Sequence, residues 1–167
     1  MDDLDEKIER RVLTPFLLTW GNMGRVLGFD GVQAIRKKLK ELSEDLEPIR
    51  KEELLSFDIC EKKRLIISFF NEIQDIKFNS KKGDGKRAGP TAASKTLHLI
   101  APDLFIPWDA NIRNDYKIGG NGRDYFYFLL EMKHILLDME PSLLIHKNKK
   151  SLIKMIDTYN WVKANTK

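Results

Sequence analysis

Apolar side chains return at intervals of three and four residues in almost every segment of this chain, and nowhere do they alternate one by one. That spacing follows one face of an α-helix, whereas a half-buried strand needs a period of two. The pattern therefore predicts an all-α fold, a multi-helix globular domain of about nine helices. Leu4, Ile8 and Val12 form a first short stripe. Thr14-Pro15 starts a helix in which Phe16, Trp20, Met23 and Leu27 share a face, and Gly28 is placed to end it. Asp30 with Gln33 reads as a capping box before Val32, Ile35, Leu39, Leu42 and Leu46. Pro48 opens a short helix to Leu55, and Asp58 with Glu61 caps a very apolar one containing Leu65, Ile66, Phe69, Phe70, Ile73 and Ile76. Residues 79–90 are turn-rich and basic. Helices follow at about 91–100, after Asp109, at 124–139 (Tyr125, Phe128, Leu129, Met132, Ile135, Met139) and at 149–165 (Leu152, Met155, Ile156, Tyr159, Val162).

With 167 residues, the chain reads as one compact domain, 1–167; the variant is two lobes, about 1–58 and 59–167, with a cleft between them. Its charge is uneven. Residues 1–60 carry 10 basic and 13 acidic side chains, and residues 61–167 carry 19 and 12, so an acidic front is joined to a basic back. The single cysteine, Cys60, excludes an internal disulfide and any cysteine-based metal cluster, and His134 and His146 have no ligand-like neighbours, so no metal or cofactor is expected. No apolar run reaches membrane-spanning length and the first residues are acidic, which points to a soluble, cytoplasmic protein with no membrane partner.

Chemistry concentrates between Gly89 and Arg113, GPTAASKTLHLIAPDLFIPWDANIR. Gly89, Lys95 and Thr96 fit a phosphate-binding loop, but Ser94 stands where that loop needs glycine and no hydrophobic strand precedes it. Read as a helix, the stretch turns Ala93, Leu97 and Ile100 to the core and gathers Thr91, Ser94, Lys95 and His98 on the other side. Lysine beside a hydroxyl and an imidazole, ahead of Asp109 at the next helix start, is a candidate catalytic pair. The plainer reading makes Lys95 a solvated side chain, His98 an internal hydrogen-bonding group and Asp109 a helix cap. For Lys95 to act as a nucleophile its amine must lose its proton near neutral pH. Burial favours that and a nearby Asp109 opposes it, so burial must prevail.

The order of a turn, a helix bearing Lys95, a short connection and Asp109 opening the next helix resembles the helix-hairpin-helix DNA glycosylase superfamily. Lys95-Thr96 and Asp109-Ala110-Asn111-Ile112 carry the likeness, and the stretch is also similar to a group of prokaryotic proteins sharing a PTAASK-LH-PDLF-WD signature. Thr91 and Ala93 replace the two glycines of the usual hairpin, and the lysine-to-aspartate spacing is a few residues short. The resemblance implies a DNA-repair glycosylase/AP lyase acting on a flipped, damaged nucleotide of duplex DNA, with Lys95 as nucleophile and Asp109 as its electrostatic partner. Ser94, His98, Trp108 and Trp20 would then meet the substrate. Lys81, Lys82, Lys86, Arg87 and Thr91 would meet the DNA backbone, as the charge of the 79–90 loop independently suggests. Each has an ordinary counterpart: a solvated loop for the basic residues and core packing for Trp108. A second basic group, Lys147, Lys149, Lys150 and Lys154, reads as solvated. The alternative function is a non-catalytic helical nucleic-acid-binding or protein-interaction module.

Overall fold

The computed structural model describes residues 14–19, 23–80, 83–139 and 152–166. The described residues are mostly helical: α1 is Thr14–Thr19, α2 Met23–Glu41, α3 Ser43–Leu46 with a 3-10 turn at Glu47–Ile49, and α4 Lys63–Gln74. A hairpin of β1 (Lys77–Ser80) and β2 (Gly83–Arg87) follows. Then come α5 (Gly89–Ile100), α6 (Ala110–Asp115), α7 (Gly122–Asp138) and α8 (Leu152–Asn165). None of the described helices is long and apolar enough to cross a membrane. The Leu4–Val12 stripe, Trp20, Lys81, Lys82, Lys147, Lys149, Lys150 and His146 lie outside the described residues.

Among the described residues the buried side chains form one cluster, with α4 packed against both α5 and α7. The apolar side of α4 is Ile66, Phe69, Phe70 and Ile73, as its sequence spacing demands. Its approach to α7 is close because Gly122 has no side chain. A Cβ there would collide with the Ile67 carbonyl and Asn71, whose Oδ1 instead accepts the Gly122 N–H at 2.8 Å. α7 starts two residues earlier than its apolar pattern indicates, because Asn121 and Asp124 form a reciprocal capping box.

α2 is two helical stretches that meet at a kink at Gly28, so Gly28 ends the first of them as its place in the sequence indicates; residues 20–22, between α1 and α2, lie outside the described residues. At φ 58° and ψ −169°, Gly28 occupies a region that essentially only glycine tolerates. A Cβ would meet nothing within 4 Å, so the cost of adding one is conformational rather than steric crowding by neighbours. Gly28→Ala is expected to destabilise the fold by about 1–3 kcal/mol, read as a drop of several degrees in the circular-dichroism melting midpoint.

Four expectations are corrected by tertiary contacts. Pro48 lies in a 3-10 turn, not a helix reaching Leu55, and the Leu54 N–H is drawn to the Asp103 carbonyl at 2.9 Å. Asp58 caps only in half, accepting the Glu61 N–H at 2.9 Å, and α4 begins at Lys63. The basic loop is a β-hairpin pairing Lys77 with Arg87 and Phe78 with Lys86, so the described residues are not purely helical. Phe78 is its one large buried apolar side chain, too little to print an alternating pattern. In α8 the buried line is Ile153, Ile156 and Asn160, while Tyr159 and Val162 are exposed. Asn160 turns the helix this way by accepting the Tyr116 hydroxyl at 2.7 Å and reaching the Met132 sulfur at 3.2 Å.

Candidate functional site

Residues 101–109 carry no regular structure between α5 and α6, yet Ala101 and Leu104 through Trp108 are buried. Buried irregular backbone needs partners for its polar groups, and side chains of α5 and α7 supply several. The Tyr125 hydroxyl donates to the Ile106 carbonyl at 2.9 Å, and the His98 Nδ1–H donates to the Phe105 carbonyl at 2.7 Å. Ser94 serves both sides of one residue: its hydroxyl donates to the Trp108 carbonyl at 3.1 Å and accepts the Trp108 N–H at 3.2 Å. The indole N–H of Trp108 donates to the Pro90 carbonyl at 3.1 Å. Through these bonds α5 holds in place the residue immediately before Asp109.

Asp109 itself is the N-cap of α6, its Oδ1 accepting the Ile112 N–H at 2.9 Å. Asp109 and Lys95 line one cavity of about 420 Å³, a size typical of small-ligand pockets. Trp108 and Ile112 form apolar parts of the wall. Pro107 adds to that wall, and the remainder comes from α8, where Lys154, Asp157, Thr158 and Trp161 fall on one helical face by their spacing. Lys154 Nζ and Asp157 Oδ2 are 2.9 Å apart, and Trp161 is an exposed aromatic at the rim.

Lys95 keeps only 7% of its surface exposed. Burial pulls its amine below the ordinary lysine value, and the negative charges of Asp109 and Asp157 oppose that pull without cancelling it. His98 is likewise held below the usual histidine value by burial, against the Phe105 carbonyl and Asp157, which favour the charged form.

The sequence candidates separate into groups. Lys95, Asp109 and Trp108 come together on the cavity wall. Trp108 does so as a core residue, 1% exposed and edge-on to Phe70 and Tyr125, with Arg113 over its ring, which leaves it little surface to stack on a ligand. Ser94 is fully buried behind the wall, and His98 lies outside the cavity lining, so both support the site from behind. The expected division of α5 into a core face and a polar face also gives way: Ala92 through Leu97 are all buried, because residues 101–109 cover the side that bears Ser94 and Lys95. Lys86, Arg87 and Thr91 are not on the cavity wall. Arg87 on β2 pairs with Asp75 at 3.0 Å, and Thr91 is half-buried, its carbonyl at 3.2 Å from the Ser94 Oγ sharing that hydroxyl's one proton with the Trp108 carbonyl.

Sequence reasoning missed Asp157, Thr158 and Trp161, and placed Lys154 in a solvated basic group. The signal was present as four residues at helical spacing, a lysine, an aspartate, a threonine and a tryptophan. An apolar stripe drawn through Tyr159 and Val162 obscured it. Comparison with protein-family models, with curated proteins and with solved structures finds no match to this chain.

Proposed function

We propose that this chain is a DNA glycosylase/AP lyase of the helix-hairpin-helix type, a cytoplasmic base-excision-repair enzyme in which Lys95 is the nucleophile and Asp109 its electrostatic partner. The observation that carries the reading is a mostly buried lysine, its amine shifted towards the neutral form, sharing one cavity with the aspartate that opens the next helix. Only the neutral amine has the lone pair that nucleophilic attack requires.

In this mechanism a damaged nucleotide is turned out of the DNA stack so that its C1′ reaches the cavity. The Lys95 amine bonds to C1′ as the C1′–N bond breaks and its electron pair leaves with the base, which takes up a proton. Asp109 faces the positive charge that develops on the sugar. One of the two protons on the attached nitrogen is lost to solvent, and O4′ takes up a proton as the C1′–O4′ bond breaks. The nitrogen lone pair forms the C=N bond, and the nitrogen keeps its other proton as a protonated Schiff base. Removal of a proton from C2′ then expels the 3′ phosphate and cuts the strand.

Borohydride reduction of the C=N bond makes the intermediate permanent. Wild-type protein on duplexes containing an abasic site, 8-oxoguanine or uracil is expected to give a covalent protein–DNA adduct. Lys95→Gln is expected to give none, and Asp109→Asn about a hundredfold less. Salt-dependent DNA binding without an adduct or base release would overturn the enzyme reading in favour of a non-catalytic nucleic-acid-binding module. Absence of binding as well would remove DNA as the partner.

A further inference from the structure

The Lys154–Asp157 pair on α8 is asymmetric in a way that matters to the cavity it lines. The Lys154 side chain keeps 60% of its surface in solvent and that of Asp157 only 16%, so the carboxylate is the inner member and the ammonium the outer one. Asp109, on the facing wall, has one carboxylate oxygen engaged in capping α6. Asp157 has no such backbone duty among its described bonds; its described partner is Lys154.

We infer that Asp157 is a positioning residue for the Lys95 amine, and that it forms with Lys154 a pair which sets the charge state of that amine from the α8 side of the cavity. Among the described residues, charged groups reach Lys95 from three helices. On its own helix His98 lies one turn on; from the α6 side come Asp109 and, beside it, Arg113; from α8 come Asp157 and Lys154. The described part of α1 has no ionisable residue, and the buried side of α4 is apolar. Asp157 acts on both Lys95 and His98, favouring the charged form of each, while Lys154 disfavours the charged form of His98. The consequence for catalysis rests on Lys95 being the reacting amine, but the arrangement can be measured without DNA.

The two ends of the pair have opposite expected effects. Asp157→Asn removes a negative charge that holds Lys95 protonated and leaves Lys154 unbalanced, so Lys95 becomes reactive at lower pH. Lys154→Gln removes the cation and leaves the full charge of Asp157 acting on Lys95, so reactivity begins at higher pH. Acetylation by acetic anhydride across the range from about pH 6 to pH 11, followed by mass spectrometry of the peptide carrying Lys95, reads this directly. Below the reactive limb, Lys95 is expected to acetylate about threefold faster in Asp157→Asn and about threefold slower in Lys154→Gln than in wild type. Asp157→Glu is expected to restore the wild-type profile, and the exposed Lys117 to serve as an unmoved reference.

Shifts in the same direction in both variants, or none in either, would overturn the inference, because a merely structural pair cannot move the limb both ways. Should Asp157→Asn fail to fold by circular dichroism, the largely exposed Lys154 still decides: an unmoved limb in Lys154→Gln overturns the proposal. A wild-type protein that neither forms an adduct nor releases a base from damaged DNA yet shows the opposed shifts would sink the glycosylase reading and leave this one standing.

Discussion

Trp108→Ala is expected to cost about 3–5 kcal/mol of stability, a large share of the roughly 5–15 kcal/mol available to a domain. Trp108 packs edge-on to Phe70 at 5.5 Å and to Tyr125 at 4.9 Å, and tilted against Phe128 at 5.3 Å. It thereby joins α4 and α7 at the segment that leads into α6. Truncation removes those contacts, opens a cavity the surrounding rings cannot fully close, and leaves the Pro90 carbonyl without its indole donor. The measurement is the urea midpoint by circular dichroism. Trp108→Phe, which keeps an aromatic ring at the junction, is expected to lose clearly less. Because Ser94 grips the backbone of Trp108 and Asp109 follows it, the alanine variant is also expected to lose adduct formation more steeply than its residual folded fraction predicts.

Lys95→Met is expected to do the opposite to stability while abolishing the adduct. The native amine lies below its ordinary value near 10.5 because burial disfavours its charge. At neutral pH it is nonetheless charged in most unfolded molecules, so folding works against the desolvation of that charge. Methionine fills a similar volume without charge, and both carboxylates keep other partners: Asp109 has the Ile112 N–H and Asp157 has Lys154. A gain on the order of 1 kcal/mol is expected, the scale on which replacing buried charge by apolar volume stabilises proteins.

The pH dependence follows from linkage. Between the depressed native value and the unfolded value near 10.5, the unfolded chain binds more protons at Lys95, so wild-type stability rises with pH across that window. The advantage of Lys95→Met should therefore be constant near neutrality and shrink as pH climbs through the window. Urea denaturation of both proteins at a series of pH values tests this, and an advantage that grows with alkalinity would contradict it.

Much of the architecture was legible because helical burial writes a period into the sequence. The stripe Val32, Ile35, Leu39, Leu42 and Leu46 is buried as its spacing demands, and so are Ile66, Phe69, Phe70 and Ile73 of α4. Asp109 was legible as a cap because capping is local: three residues of backbone bring its Oδ1 to the Ile112 amide. The hairpin was not, since Phe78 alone cannot establish a period of two. Nor was the true face of α8, whose inner line includes Asn160, a polar residue buried only because Tyr116 and Met132 come to meet it from other helices.

The same boundary runs through the candidate site. Local order along the chain determined that Lys95 rides a helix beginning after Gly89 and that Asp109 opens the next one. Tertiary structure decided that the polar side of α5 is covered rather than solvated, that burial outweighs two carboxylates at Lys95, and that Lys154, Asp157 and Trp161 close the cavity. The physical reason is range. Periodicity, caps and turns depend on neighbours within about four residues, whereas desolvation and through-space charge depend on atoms whose separation in sequence has no bearing on their separation in the fold.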